Sequence, residues 1–479
     1  MNKKNLRYEK YFKNLNLTLN NLNNKFLYYI PSLYKKDLRK DKISIIKVKF
    51  SFISSLFRKN YLIEDLDKVK KSKICFISHY VGNKINDKDY DFYYGNLFKR
   101  LEIQKFFYVI LINHTNESLS EIRKKFKNSK IPRVYINNDF NFISDSLNLL
   151  KISKKYLNFK IFNTVSYNKF NVFKKLNLIF DYKFFLSSRY TYKISNSIKS
   201  ILGKSENLEN LVTTFEGHAF EKIIFNYCKN NKIKSFGYFF SVIREYKNSI
   251  YYKFNQNYQP DVVLTSGIIS KNDLQLNSPF KNIKVLGCNK SSKQKKKFNI
   301  FKNKSKKITI LVCPEGLFSE TLILLKLINS EELNKKEFKF IFRTHPLIDI
   351  SRDFETYKMN NNIHFSQENN IKNDFNKSDI ILYSGSSVCI QAAVSGLIPI
   401  NFKNNKSDFS FDPLYKSNKF IVNNSIMLLY VFNEINKNKF KSEFKQVLEK
   451  IQDYAQLYFQ KLNADILINS KTVRKKPNI

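Results

Sequence analysis

From residue 73 onward the chain alternates short apolar runs with amphipathic stretches, and no other feature narrows its fold so far. The runs "KICFISHYVG" (73–82), "FFYVILINHT" (106–115), "RVYIN" (133–137), "NLVTTF" (210–215), "IKSFGYFF" (233–240), "DVVLTSG" (261–267) and "IKVLG" (283–287) read as buried strands. Most of the segments between them are long enough for a helix. A strand that is apolar throughout needs cover on both faces, and helices returning between successive strands supply it. The pattern therefore predicts a mostly parallel sheet with helices on both sides.

The alternation stops at "NKSSKQKKKFNIFKNKSKK" (289–307) and then restarts. "ITILVCPEG" (308–316), "FKFIFRTHP" (338–346), "IHFSQ" (363–367), "DIILYSGSSV" (379–388) and "LIPINF" (397–402) are the strands of a second set, with an amphipathic helix in "LFSETLILLKLINSEELN". The basic stretch reads as an exposed linker between two domains, 71–288 and 308–423. A polar helical extension (1–70) precedes them, and helices (424–479) follow. The expected fold class is α/β, two Rossmann-like doubly wound domains facing each other across a cleft. Ligands of such sheets bind beyond the C-terminal ends of the strands, so the strand-end loops are where functional residues belong.

At 479 residues the chain is too long for one compact core, and its 43% apolar content is ample for two. Its net charge of +44, from 84 Lys and Arg against 40 Asp and Glu, would ordinarily raise nucleic-acid binding first. The excess is almost all lysine, spread along the whole chain. It comes with heavy Asn and Ile use and no Trp, as an AT-biased coding sequence would give. We therefore expect no specific nucleic-acid partner, only a general attraction to anionic substrates and to the anionic inner face of a membrane. The cysteines, Cys75, Cys228, Cys288, Cys313 and Cys389, are isolated and mostly lie in or beside apolar runs, which predicts buried thiols. No signal-peptide core or spanning segment is legible, which predicts a cytoplasmic protein with at most peripheral membrane contact.

The unusual polar residues fall where the fold expectation puts them. "CPEG" closes one strand with Glu315 and Gly316, "FRTHP" the next with Arg343 and His345, and "YSGSSV" another with Ser384, Gly385, Ser386 and Ser387. Hydroxyls beside a glycine at a strand-to-helix turn can converge O–H and N–H groups on a phosphate, where a plain helix cap needs one serine. Alternation places Arg343 and His345 on the same side of their strand. A histidine there can donate to a phosphate and stabilise charge on a leaving nucleotide. In the first domain "TTFEGHAFEK" (213–222) sets Glu216, Gly217 and His218 directly after a strand. The carboxylates named at these strand ends form no DxD pair, the histidines are dispersed, and neither GxxxxGK[ST] nor GxGxxG occurs, so no metal or other cofactor is expected and phosphate binding falls to the Ser, His and Arg set.

The order of these motifs, over residues 210–402, resembles bacterial GT-B glycosyltransferases of surface and capsular polysaccharide synthesis. "RTHP" is similar to the His-Pro motif of bacterial sialyltransferases, "SGSSV" to their serine motif, and "FEGHAFE" to the acidic-Gly motif that carries their catalytic base. Similar His-Pro and Ser-Ser elements occur in polymerases that transfer glycerol phosphate from CDP-glycerol. The resemblance implies a nucleotide-sugar donor, CMP-linked by preference, and a glycan or glycolipid acceptor. It implies that Glu216 deprotonates the acceptor hydroxyl, which partial burial would favour by raising its pKa. His345, Ser386 and Ser387 would hold the donor phosphate, with Glu315 and Gly316 near the nucleotide. The sequence departs from the family where a glutamate commonly binds the ribose, since that approximate position is Gln391.

Weaker candidates on the acceptor side are His79 in "FISHY", His218, and Ser241 and Arg244 in "GYFFSVIR"; His114 and His364 have no local support. Direct displacement would invert the anomeric centre. A polyol- or glycerol-phosphate transferase, in which the acceptor attacks phosphorus, uses the same parts. A sugar-nucleotide epimerase and a basic nucleic-acid-binding protein are the remaining readings.

Overall fold

The structure is a computed structural model. It describes residues 60–82, 87–101, 106–137, 182–243, 249–252, 255–291, 295–301, 307–345, 359–403, 412–417, 419–438 and 441–468, with 146, 147, 150 and 348. The described residues form two sheets, one of eight strands and one of six. The first holds β1 (Tyr61–Ile63), β2 (Ile74–Tyr80), β3 (Phe107–Asn113), β4 (Arg133–Ile136), β5 (Asn210–Thr214), β6 (Lys234–Phe239), β7 (Val262–Thr265) and β8 (Ile283–Val285). Their spatial order is β1-β4-β3-β2-β5-β6-β7-β8, parallel except where β1 pairs antiparallel with β4. The second holds β9 (Ile308–Val312), β10 (Phe338–Phe342), β11 (Ile363–Phe365), β12 (Ile380–Tyr383), β13 (Ile398–Phe402) and β14 (Phe420–Val422), all parallel, in the order β11-β10-β9-β12-β13-β14.

Apart from the antiparallel edge strand β1, both sheets follow the doubly wound order, in which the chain starts in the middle, winds to one edge, and returns to wind to the other. The order therefore reverses once in each sheet, between β2 and β5 in the first and between β9 and β12 in the second. This is the α/β class with two doubly wound sheets that the alternation of the sequence predicts. Central strands are apolar throughout because both faces are covered: every residue of β2, β3 and β5 is buried.

Two edge strands, β1 and β14, escaped the sequence reading. "YLIEDLDKVKK", read as part of a helical extension, is half strand and half helix: Tyr61–Ile63 pairs with β4, and Asp65 then caps the helix Leu66–Lys71. Three-residue edge strands carry too little periodicity to be seen. The described part of the basic linker does not run free. Phe298 and Ile300 enter the second domain's core, and the Asn299 side chain donates to the carbonyls of Phe375 and Ser378 at 2.9 and 2.7 Å.

The C-terminal chain joins the domains. The helix Ser425–Asn438 packs Leu428, Phe432 and Ile435 on the second sheet. The next helix, Ser442–Gln456, begins there with Leu448 and Ile451, and the chain then passes Tyr458, Phe459 and Leu462 into an apolar cluster that holds residues of both domains, Phe236 and Tyr238 of the first and Leu311 and Tyr383 of the second. Gln460 N donates to Ser266 O at 2.9 Å, and Cys288 N to Gln460 O at 2.8 Å, beside β7 and β8. All five cysteines are buried and unpaired, as expected. Among the described residues no helix is long and apolar enough to cross a membrane.

Candidate functional site

The first half of the site sits at the switch point of the first sheet. After β5 the chain turns through Gly217 at φ +89°, in the left-handed region that favours glycine. A Cβ there would lie 2.0 Å from Ser249 Oγ, so the position has no room for a side chain. The helix Ala219–Asn230 starts at once, and its third residue, Glu221, reaches back into the turn. Its fully buried carboxylate accepts from the N–H groups of Glu216 (3.1 Å), Gly217 (2.9 Å) and His218 (2.9 Å). Burial pushes the Glu221 carboxyl up to about 7, opposed by the His218 charge and the backbone donors.

With its own backbone anchored this way, Glu216 turns its side chain outward, about a third exposed. Ser241 Oγ donates to Glu216 Oε1 at 2.5 Å, and His218 Nε2 lies 3.7 Å from Oε2. Glu216, His218 and Ser241, three separate candidates in the sequence, thus form one group. Arg244 lies outside the described residues. His79, at the end of β2, stands behind this group: its Nδ1 is 2.8 Å from His114 Nε2, and its Nε2 is 2.9 Å from Thr214 Oγ1. Burial and the neighbouring His114 and His218 depress His79 to about 3, so it is neutral at physiological pH and acts as a fixed hydrogen-bonding wall.

The second half sits at the switch point of the other sheet. A Cβ on Gly316 would come within 3.0 Å of His345 Nδ1, so the glycine of "CPEG" is what lets that imidazole lie against the turn. His345 is half-buried, and burial lowers its pKa, which favours the uncharged ring. Ser387 precedes the helix Val388–Val394, yet its hydroxyl makes no capping hydrogen bond, and Ser386 is nearly buried. The Asn401 amide holds the Ser384 carbonyl at 2.8 Å. Glu320, which the sequence reading passed over, ties the turns together: its carboxylate accepts from Glu315 N at 3.0 Å and Gly385 N at 3.3 Å. Burial and the adjacent Glu315 raise Glu320 to about 8.

Arg343 and His345 diverge, contrary to the alternation argument. β10 ends at Phe342, so both residues lie past the pleat. Arg343 turns away to Asp374, 2.6 Å from its Oδ2, and donates to Glu368 O at 2.9 Å, which gives it a structural ion pair.

The two halves meet at Lys290, a further residue hidden in the basic stretch. Its ammonium lies 4.6 Å from the Phe240 ring and 5.7 Å from that of Phe459, and its carbonyl accepts from Gln391 Nε2 at 3.5 Å. Phe240 directly precedes Ser241, the partner of Glu216. Tyr93 bridges Phe240 and His79, 5.4 Å from each ring centroid. Among the described residues no group of three or more His, Cys, Asp or Glu has the geometry to hold a metal ion.

No family model and no curated protein matches the chain. Solved structures that it resembles include a glycosyltransferase from Rickettsia africae, at 14% identity and TM-score 0.44, over 83% of this chain and 96% of that one. The calicheamicin glycosyltransferase CalG4 overlays at 8% identity and TM-score 0.48, over 83% and 97%. MnaA of S. aureus with UDP overlays at 12% and 0.45, over 83% and 95%. None overlays closely enough to transfer an activity, so the functional reading rests on this chain's own residues.

Proposed function

We propose that the chain is a glycosyltransferase that moves a sugar from a nucleotide-activated donor, CMP-linked by preference, to a hydroxyl of a surface polysaccharide or lipid-linked glycan. The observation that carries this reading is the Glu216 turn. A carboxylate is held outward at a sheet's switch point by a left-handed glycine and a buried glutamate, hydrogen-bonded to Ser241. A residue whose only task was capping would not need its backbone secured from below and its side chain aimed from the side.

In the proposed reaction a Glu216 oxygen takes the proton of the acceptor hydroxyl as that oxygen bonds to the donor's anomeric carbon. The bond from the anomeric carbon to the donor phosphate oxygen breaks, and its electron pair leaves with the nucleotide. The neutral His345 N–H and the hydroxyls of Ser384, Ser386 and Ser387 donate to that phosphate, and Gln391 hydrogen-bonds the ribose. The charge is thus met without a metal ion, and direct displacement inverts the anomeric centre. The chain works at the inner face of the membrane, where its lysines are attracted to anionic lipid.

Mass-spectrometric detection of nucleotide release from CMP-, CDP-, UDP- and GDP-linked donors, with glycolipid acceptors present, tests the reading. Turnover of a CMP-sugar supports it, transfer from CDP-glycerol would move the chain to the polyol-phosphate class, and no turnover of any donor refutes it. In the same assay His345→Ala is expected to lower kcat/KM for the donor about 100-fold, the scale of removing one donor to a developing anion. The KM of the acceptor should stay unchanged.

A further inference from the structure

Among the described residues no carboxylate lies within ion-pair distance of the Lys290 ammonium, which makes two ring contacts but no hydrogen bond with those residues. It is only partly exposed, lining a pocket with Asn289, Lys372, Gln391 and Phe459. Most lysines of this chain stand in solvent, where a lone ammonium costs nothing. One drawn against two aromatic faces at a domain junction loses hydration, and cation–π contact restores only part of it. Burial accordingly lowers its pKa, with Cys288 and Glu216 pulling the other way.

Its position decides what it could bind. The side chain lies on Phe240, next to the residue that hydrogen-bonds the candidate base, while the carbonyl touches Gln391 of the other domain. A group held there stands between acceptor and donor sides. We propose that Lys290 binds a negatively charged group of the substrate, a carboxylate or a phosphate, beside Glu216, and so selects for an anionic sugar or acceptor. This rests on the glycosyltransferase reading and deepens it. Lys290 supplies the charge that a neutral sugar would leave unmatched.

The test is binding of CMP, CMP-N-acetylneuraminate and 3′-sialyllactose, by calorimetry, to the full chain and to Lys290→Met and Lys290→Arg. Methionine keeps the stem on the two rings and removes the charge; arginine restores it and guards against a packing effect. We expect Lys290→Met to weaken one of these ligands about 10- to 100-fold and Lys290→Arg to recover most of the loss. Loss confined to CMP-N-acetylneuraminate assigns Lys290 to the donor sugar's carboxylate, equal loss for CMP to the donor phosphate, and loss confined to sialyllactose to the acceptor. If the unsubstituted chain binds these ligands and Lys290→Met binds them all equally well, the Lys290 proposal is overturned while the transferase reading stands. If the unsubstituted chain binds none of them, the CMP preference and the Lys290 proposal fall together, and the transferase reading is decided by the nucleotide-release assay.

Discussion

Glu216→Gln is expected to abolish most transfer, lowering kcat by about 100- to 10,000-fold, the range that a positioned general base contributes. Donor affinity should stay within about threefold, and thermal stability should hardly move. The substitution keeps the shape and leaves an oxygen for the Ser241 hydroxyl, which now donates at 2.5 Å. The three N–H groups that fix the turn are satisfied by Glu221, not by the Glu216 side chain, so the local fold has no reason to change. What disappears is the ability to take a proton. Steady-state nucleotide release beside a donor-binding isotherm separates the two effects. Equal loss of rate and donor binding would reassign Glu216 to structure.

The parts of this site legible in the sequence are those that lie at the ends of strands. Apolar runs mark strands, a doubly wound sheet places its ligands beyond their C-terminal ends, and the scarce Gly and His residues and a run of serines stood there, at Glu216–Gly217–His218, His345 and Ser384–Ser387. What escaped depends on which strands are neighbours. His114 closes β3 as His79 closes β2, and the two rings meet only because β2 and β3 are adjacent and in register. Glu320 looks like one more polar residue on a helix until β9 and β12 are paired, which brings Gly385 to its carboxylate. Arg343 has a partner that the sequence did not show. It stood at a strand end beside His345, but Asp374, on a helix some thirty residues later, takes its guanidinium. Lys290 was hidden by composition, since one lysine that matters does not stand out among 84 Lys and Arg.

Glu221 is the omission with the largest expected consequence. In "FEGHAFE" the second glutamate reads as an ordinary helix residue, yet it is completely buried and serves as the acceptor for three consecutive N–H groups. Glu221→Ala would leave those donors in a water-poor turn without a partner. At about 1–3 kcal/mol for each unsatisfied buried group, and with partial relief if water enters the vacated space, the net loss of stability should be about 3 kcal/mol. Rate should fall as well, by about 100-fold, although Glu216 itself is untouched, because the turn no longer aims it. Glu221→Gln is isosteric but offers one oxygen to three donors and should fall between the two. The pH dependence carries a second signature. Because burial raises the folded carboxyl from 4.5 to about 7, the folded chain keeps a proton over that interval which the unfolded chain has released. Stability from this group is therefore greatest below about pH 4.5 and declines as pH rises toward 7, and Glu221→Gln should remove that slope from urea-unfolding free energies. Loss of rate alone in Glu216→Gln, against joint loss of rate and stability in Glu221→Ala, would separate the group that reacts from the group that holds it. An unchanged urea midpoint in Glu221→Ala would mean that the three N–H groups find other partners, and the turn would then owe its geometry to Gly217 alone.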